Sequence, residues 1–211
     1  MAADRTGPIG RRLPRVKDAA LLTGEARFVA DIAIADAAEA VFVRSIYPHG
    51  EFRGVDLTEA RTMAGVLGAW AAADLPGLPG MPATPGPAVP EVMARSSLAR
   101  ERVRFVGEPV AVVVAENLGR AQDAAEAVLV DIDPLPAVLD PTAAASPDAV
   151  ALFPGHGNVA SDDVYGGDAA RATGSAEVVV EMELRQQRLA PVSIETRRIL
   201  VVPELDQGLT A

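Results

Sequence analysis

Residues 103–117, VRFVGEPVAVVVAEN, constrain the fold more than any other stretch of the chain. The run from Val110 to Ala115 is uninterrupted and apolar but short, the pattern of a strand covered on both faces. Ahead of it RVRFV alternates, and Gly107 and Pro109 separate the two runs, the glycine permitting a bulge or turn and the proline opening the next strand. Asn117 offers a side-chain oxygen that can cap a helix. In that helix Leu118, Ala121, Ala125 and Val128 fall on one stripe, with Arg120, Asp123 and Glu126 off it. With VLVDID following, the order strand, helix, strand predicts a right-handed parallel crossover. Glu108, at the hinge, is either a site residue held by a definite partner or a carboxylate that satisfies backbone donors at a strand junction. The second reading is favoured.

The flanking segments set the organisation. AVFVRSIY (40–47) reads as a strand, Thr58 as the cap of a short helix over EARTMAG, and VLGAWAAAD (66–74) as extended structure. The Pro/Gly-rich LPGLPGMPATPGPAVP (75–90) suits neither helix nor ladder and predicts a surface excursion. Residues 1–27 carry Arg5, Arg11, Arg12, Arg15, Lys17 and Arg27 with no helical or strand period, so an extended arm on a larger body is the simplest reading and a solvated tail its alternative. Prolines 134, 136, 141, 147 and 154 mark a linker. Beyond it AEVVVEMELRQQRL alternates, with Val178, Val180, Met182 and Leu184 on one face, and RRILVVPE predicts a second strand. A section of roughly 50 residues seldom supports its own core, so the second domain is expected to be incomplete.

Several chemistries are excluded within the chain. It has no cysteine, hence no thiolate zinc site, iron–sulfur cluster or cysteine nucleophile. The net charge of −10 opposes binding to a phosphate backbone, so no nucleic-acid partner is expected. No apolar run approaches the roughly 20 residues that cross a bilayer, and no secretory h-region is present, so a cytoplasmic protein without a membrane partner is expected. His49, in YPHGEF, and His156, in PGHGN, each read as exposed turn residues. Gly166, Gly167 and Asp168 read as a turn capped by Asp168 into the short helix AARAT rather than a phosphate cradle.

The segments IGRRLPRVKDAALLTGEARFVADI, AVFVRSIYPHGEFRGVD, VRFVGEPVAVVVAEN, AQDAAEAVLVDIDPLPAVLDP and RLAPVSIETRRILV, in that order, resemble the start of the large, molybdopterin-binding subunit of the molybdenum hydroxylases. That family includes xanthine dehydrogenase, aldehyde oxidase and carbon monoxide dehydrogenase. The resemblance implies an α+β fold: an α/β hammerhead domain over 20–140, after an extended arm over 1–19. A linker over 141–157 and the first strands of an incomplete molybdenum-cofactor-binding domain over 158–211 would follow. It also implies oxidation of an aldehyde, a purine or N-heterocycle, or carbon monoxide, with water as the oxygen source. The molybdopterin-type cofactor is expected only in an assembled enzyme and none in the isolated chain, because the family's glycine-rich cofactor loops and its glutamate base have no counterpart in this sequence. Implied partners are the remainder of a large subunit together with iron–sulfur and flavin subunits, and a chain by itself is expected to self-associate. No catalytic residue and no metal ligand carries over. Glu195, with Thr196 and Arg197, matches a strand motif at the start of the cofactor domain and is the candidate cofactor-binding residue; its plainer role is a salt bridge with Arg197 or Arg198. Gln186 and Gln187 stand near a glutamine that many members place by the metal, but neither is assigned to it. The leading reading is thus an inactive-alone structural and docking portion of such an oxidoreductase. The alternative is a stand-alone, non-catalytic hammerhead binding or assembly module.

Overall fold

The computed structural model of the chain describes residues 10–81, 89–163, 165–187, 189–204 and 208–210. In chain order it runs α1 (Asp18–Thr23), a 3-10 turn (Val29–Asp31), β1 (Glu39–Arg44), β2 (Gly50–Asp56), α2 (Thr58–Thr62), β3 (Val66–Ala71) and a second 3-10 turn (Glu91–Met93). Then come β4 (Arg102–Val103), β5 (Pro109–Ala115), α3 (Leu118–Glu126), β6 (Leu129–Pro134), α4 (Pro141–Ala144), α5 (Ala169–Gly174), β7 (Val202–Glu204) and β8 (Gly208–Thr210). Two compact units result, one built from residues 36–179 and the other from 1–35 together with 180–211.

In the unit of residues 36–179, two small sheets carry the core. One has the order β1-β5-β3 and the other β4-β2-β6, and every pairing in them is antiparallel. The apolar run 110–115 is the central strand of the first sheet, with Val110, Ala111, Val113 and Ala115 buried and Val112 and Val114 half-buried. Ala111 and Val113 pack with Leu57, Ala60, Ala69, Ala71, Ala124 and Val128, while Val103, Val110 and Ala99 form a second cluster against Tyr47, Phe52, Val130 and Ile132. Small aliphatic side chains let the layers approach closely, which is how a chain with 4% aromatic residues fills an interior.

The expected parallel crossover does not form. β5 and β6 belong to different sheets, so α3 connects two layers instead of closing a βαβ unit. The reason is β2, a strand not anticipated from sequence because the register shift between Phe52 and Gly54 interrupts its alternation. It pairs with β6 as an antiparallel neighbour along its length.

Helix α3 is capped as expected, Asn117 accepting the Arg120 N–H at 3.0 Å. Its buried stripe is Ala121 and Ala124, however, and Leu118 is exposed. Thr58 does not cap α2: the N-cap is Leu57, and Asp56 Oδ1 accepts the Thr58 N–H at 2.9 Å. Asp168 caps α5 through the Arg171 N–H at 3.0 Å. Only Arg102 and Val103 of RVRFV are ladder residues. Of the Pro/Gly-rich excursion, residues 82–88 lie outside the described residues, as do residues 1–9 of the arm.

The proline-rich segment that reads as a linker folds back on itself. Asp140 caps α4 through the N–H groups of Thr142 and Ala143. Asn158 then ties the loop: its amide donates to the Ala144 and Val150 carbonyls, and its Oδ1 accepts the Leu152 N–H at 2.8 Å.

In the other unit, α1 replaces part of the extended arm and ends at Gly24, from which Glu25 and Ala26 both donate to the Ala20 carbonyl. β7 and β8 form a hairpin. The strand expected over 176–189 does not form among the described residues: no ladder is made, and Val178, Val180, Met182 and Leu184 are 70–82% exposed. Alternation gives a strand its two faces, but only a neighbour supplies the hydrogen bonds that make it one. No helix among the described residues is long and apolar enough to cross a membrane.

Candidate functional site

The hinge at Gly107–Pro109 is tied to the end of β1 by hydrogen bonds. Ser45 N–H donates to the Glu108 carbonyl at 2.9 Å, Gly107 N–H to the Ser45 carbonyl at 2.8 Å, and Arg44 Nη1 to the Gly107 carbonyl at 2.8 Å. Gly107 has φ +89°, and a Cβ added there would meet no atom within 4 Å. Glycine is therefore required by backbone conformation and not by crowding.

The Glu108 side chain turns back along its own chain. It is 7% exposed, and its Oε2 accepts the Arg104 N–H at 2.5 Å, closing the 104–108 loop. Arg104 in turn sends its guanidinium outward along the loop: Nε donates to the Leu152 carbonyl at 3.0 Å and the group lies 4.5 Å from the centre of the Phe153 ring. Glu108 thus satisfies a backbone donor at a strand junction, in keeping with the plainer of its two readings.

Burial raises the Glu108 carboxyl above its ordinary value of 4.5, against the opposing pull of the Arg104 N–H and the Arg104 charge. A carboxyl with a raised value in the folded state holds its proton longer than in the unfolded chain, so its contribution to stability is present at low pH. That contribution is lost as pH climbs from about 4.5 through the folded-state value. Glu108→Gln, which keeps an acceptor for Arg104, is expected to flatten this part of the stability profile. Denaturant midpoints of both proteins across pH 4 to 8, taken as roughly the titration range, check it: parallel profiles would remove Glu108 as their cause.

His49 departs from expectation. Far from lying in an exposed turn, it is 1% exposed and is among the largest fully buried side chains. Its Nδ1 is 2.9 Å from the Pro136 carbonyl, the pairing of an Nδ1–H donor, and its main-chain carbonyl accepts the Leu135 N–H at 2.9 Å. Nε2 is buried with no partner among the described residues. Pro48 and Gly50 carry the chemistry of a surface turn, but β2 and β6 pair from Gly50 onward and draw the residue before them inside. His156 does lie in an exposed turn.

Glu195 belongs to the unit formed by the two chain ends. Its Oε1 accepts the Val29 N–H at 2.8 Å, across 166 positions of sequence. Gln186 and Gln187 are exposed in the segment without a ladder. The expected cofactor role of Glu195 has a structural competitor that no sequence signal announced, since the Val29 donor is an ordinary backbone group.

No group of three His, Asp or Glu side chains among the described residues could hold a metal ion. Glu195, the residue carried over from the family motif, already has one oxygen engaged by Val29.

Residues 23–136 match the sequence profile described as aldehyde oxidase and xanthine dehydrogenase, a/b hammerhead domain. The chain belongs to this family. It is 37% identical over 194 residues to the nicotine 6-hydroxylase large subunit of Paenarthrobacter nicotinovorans, a match covering 91% of the chain and 24% of that subunit. Among solved structures it is similar to the aldehyde oxidoreductase of Desulfovibrio gigas, with a TM-score of 0.64 and 31% identity over 78% of the chain and 19% of the enzyme. It is also similar to a Cu,Mo-containing carbon monoxide dehydrogenase, with a TM-score of 0.56 and 35% identity over 67% of the chain and 17% of that enzyme. The chain thus spans about a quarter, or less, of the length of the relatives it matches. The mixed α/β architecture with small sheets is that of the family's hammerhead domain.

Proposed function

We propose that the chain is the N-terminal portion of a molybdenum hydroxylase large subunit, with a structural and docking role, and that oxidation of an aldehyde, an N-heterocycle or carbon monoxide requires the rest of that subunit. Family membership supports the reaction class. The observation that carries the docking role is the alternating run Val178, Val180, Met182, Leu184, exposed and without a neighbouring strand among the described residues. An unpaired strand with an apolar face seeks both backbone partners and a cover. In this reading residues 20–140 are the hammerhead domain, 141–157 the linker and 158–211 the opening of the cofactor domain. The molybdopterin-type cofactor arrives only with the assembled enzyme, iron–sulfur and flavin subunits take its electrons, and the complex works in the cytoplasm.

Co-expression with a polypeptide equivalent to the rest of a family large subunit tests the proposal. The expected result is a stable complex burying more than ~1,000 Å², the lower bound of a specific interface. Elemental analysis should find molybdenum in the complex and none in the chain purified alone. Stoichiometric molybdenum in the isolated chain would overturn the docking role. A monodisperse monomer with residues 176–187 protected from hydrogen exchange would do so too, and would favour the stand-alone module.

A further inference from the structure

The clearest unexplained contact in the molecule is the one between Glu195 and Val29. We infer that Glu195 is a positioning residue that fastens the N-terminal segment, residues 10–35, to the segment beyond residue 180, so that the two chain ends form one discontinuous unit. Three observations lead there. First, the two ends cluster as a unit of their own, separate from residues 36–179. Second, Val29 opens a 3-10 turn, and the first N–H groups of such a turn have no partner within it.

Third, the two donors at this point are divided between two carboxylates. Phe28 N–H goes to the local Asp31 Oδ2 at 2.9 Å, and Val29 N–H to the distant Glu195 Oε1 at 2.8 Å. Asp31 lies three residues from its donor and shapes the turn; Glu195 lies 166 residues from its own and cannot be serving local geometry. Glu195 binds a backbone group, so the contact survives changes of side chain at position 29. Hydrogen bonds to charged acceptors are about twice as strong as neutral ones, which suits a tether. Around it the segment makes local bonds: α1 closes on Gly24, Asp31 N–H bonds the Phe28 carbonyl, and Ile32 N–H bonds the Val29 carbonyl.

This reading gives Glu195 an intramolecular task where the family motif alone implied a cofactor contact, and it holds whether or not the chain serves a molybdenum enzyme. Amide hydrogen exchange on the full chain, followed by NMR, tests it. In Glu195→Ala the Val29 amide should exchange about tenfold faster, the opening expected when one charge-assisted bond is lost. The Phe28 amide, held by Asp31, should change less. Glu195→Gln keeps an oxygen acceptor and should retain most of the protection. Fluorescence of Trp70, the single tryptophan, reports on the unit of residues 36–179 and should show the same unfolding midpoint in all three proteins. Equal Val29 exchange in wild type and Glu195→Ala overturns the inference, as does a Glu195→Gln protein that exchanges as fast as Glu195→Ala.

Discussion

Gly50→Val is expected to destabilise the unit of residues 36–179 by about 3 kcal/mol, enough to consume a large part of an ordinary domain's stability. Gly50 opens β2, the central strand of its sheet, with Val103 of β4 on one side and Pro134 of β6 on the other. A Cβ built on it would come within 2.4 Å of Ile132 Cγ2 and 2.9 Å of the Asp133 carbonyl oxygen. The isoleucine methyl could turn aside, but the carbonyl is ladder backbone and can move only if β6 does. Valine adds two further methyl groups to that clash. Urea unfolding followed through Trp70 measures the loss, and Gly50→Ala should show a smaller one in the same direction. A wild-type midpoint for Gly50→Val would mean that β6 is not seated against β2 as described.

His49→Ala is the second large effect, also about 3 kcal/mol, combining a cavity with a lost hydrogen bond. The imidazole is almost wholly buried and holds the Pro136 carbonyl through Nδ1 at 2.9 Å. His49→Phe separates the two contributions, because it keeps most of the volume and loses only the bond. It should cost about 1 kcal/mol for an unpaired carbonyl that can relax toward water. The unpartnered Nε2 makes the phenylalanine variant cheaper still, since histidine's own second nitrogen is buried without compensation. If alanine and phenylalanine at position 49 are equally costly, the hydrogen bond and not the packing carries the residue's role. Equal stability of all three proteins would place the side chain in solvent.

The hinge and His49 differ in how far they could be read beforehand. The hinge was legible because its constraints are local: an alternating run ends where a glycine must take positive φ and a proline opens an unbroken apolar strand, and Glu108 found its donor four residues away. Asn117 and Asp168 were legible as caps for the same reason, each accepting from a backbone N–H three residues on. His49 was not, because its neighbours Pro48 and Gly50 carry the same turn chemistry whether the turn is exposed or folded under. Its burial depends on Pro136, 87 residues later. Glu195 was legible as part of a family motif but not as the acceptor of a backbone donor 166 residues earlier, which has no side-chain signature at all.

By itself the sequence determined the strand at 110–115, the caps at Asn117 and Asp168, the hinge and the membership of a family of molybdenum hydroxylases, since each is written in side-chain chemistry over a few residues or in an ordered set of motifs. Tertiary structure alone decided which strands share a sheet. β5 and β6 flank one helix in sequence, yet β2, whose alternation is broken at the shift between Phe52 and Gly54, claims β6 for the other layer. It also decided that residues 176–187, with a strand's alternation, stay without a ladder among the described residues, and that the two ends of the chain meet. The physical reason is common to all three. A periodic pattern fixes which side of a segment is apolar, but backbone hydrogen bonds must be closed by another segment, and which segment is available is a property of the whole chain in space.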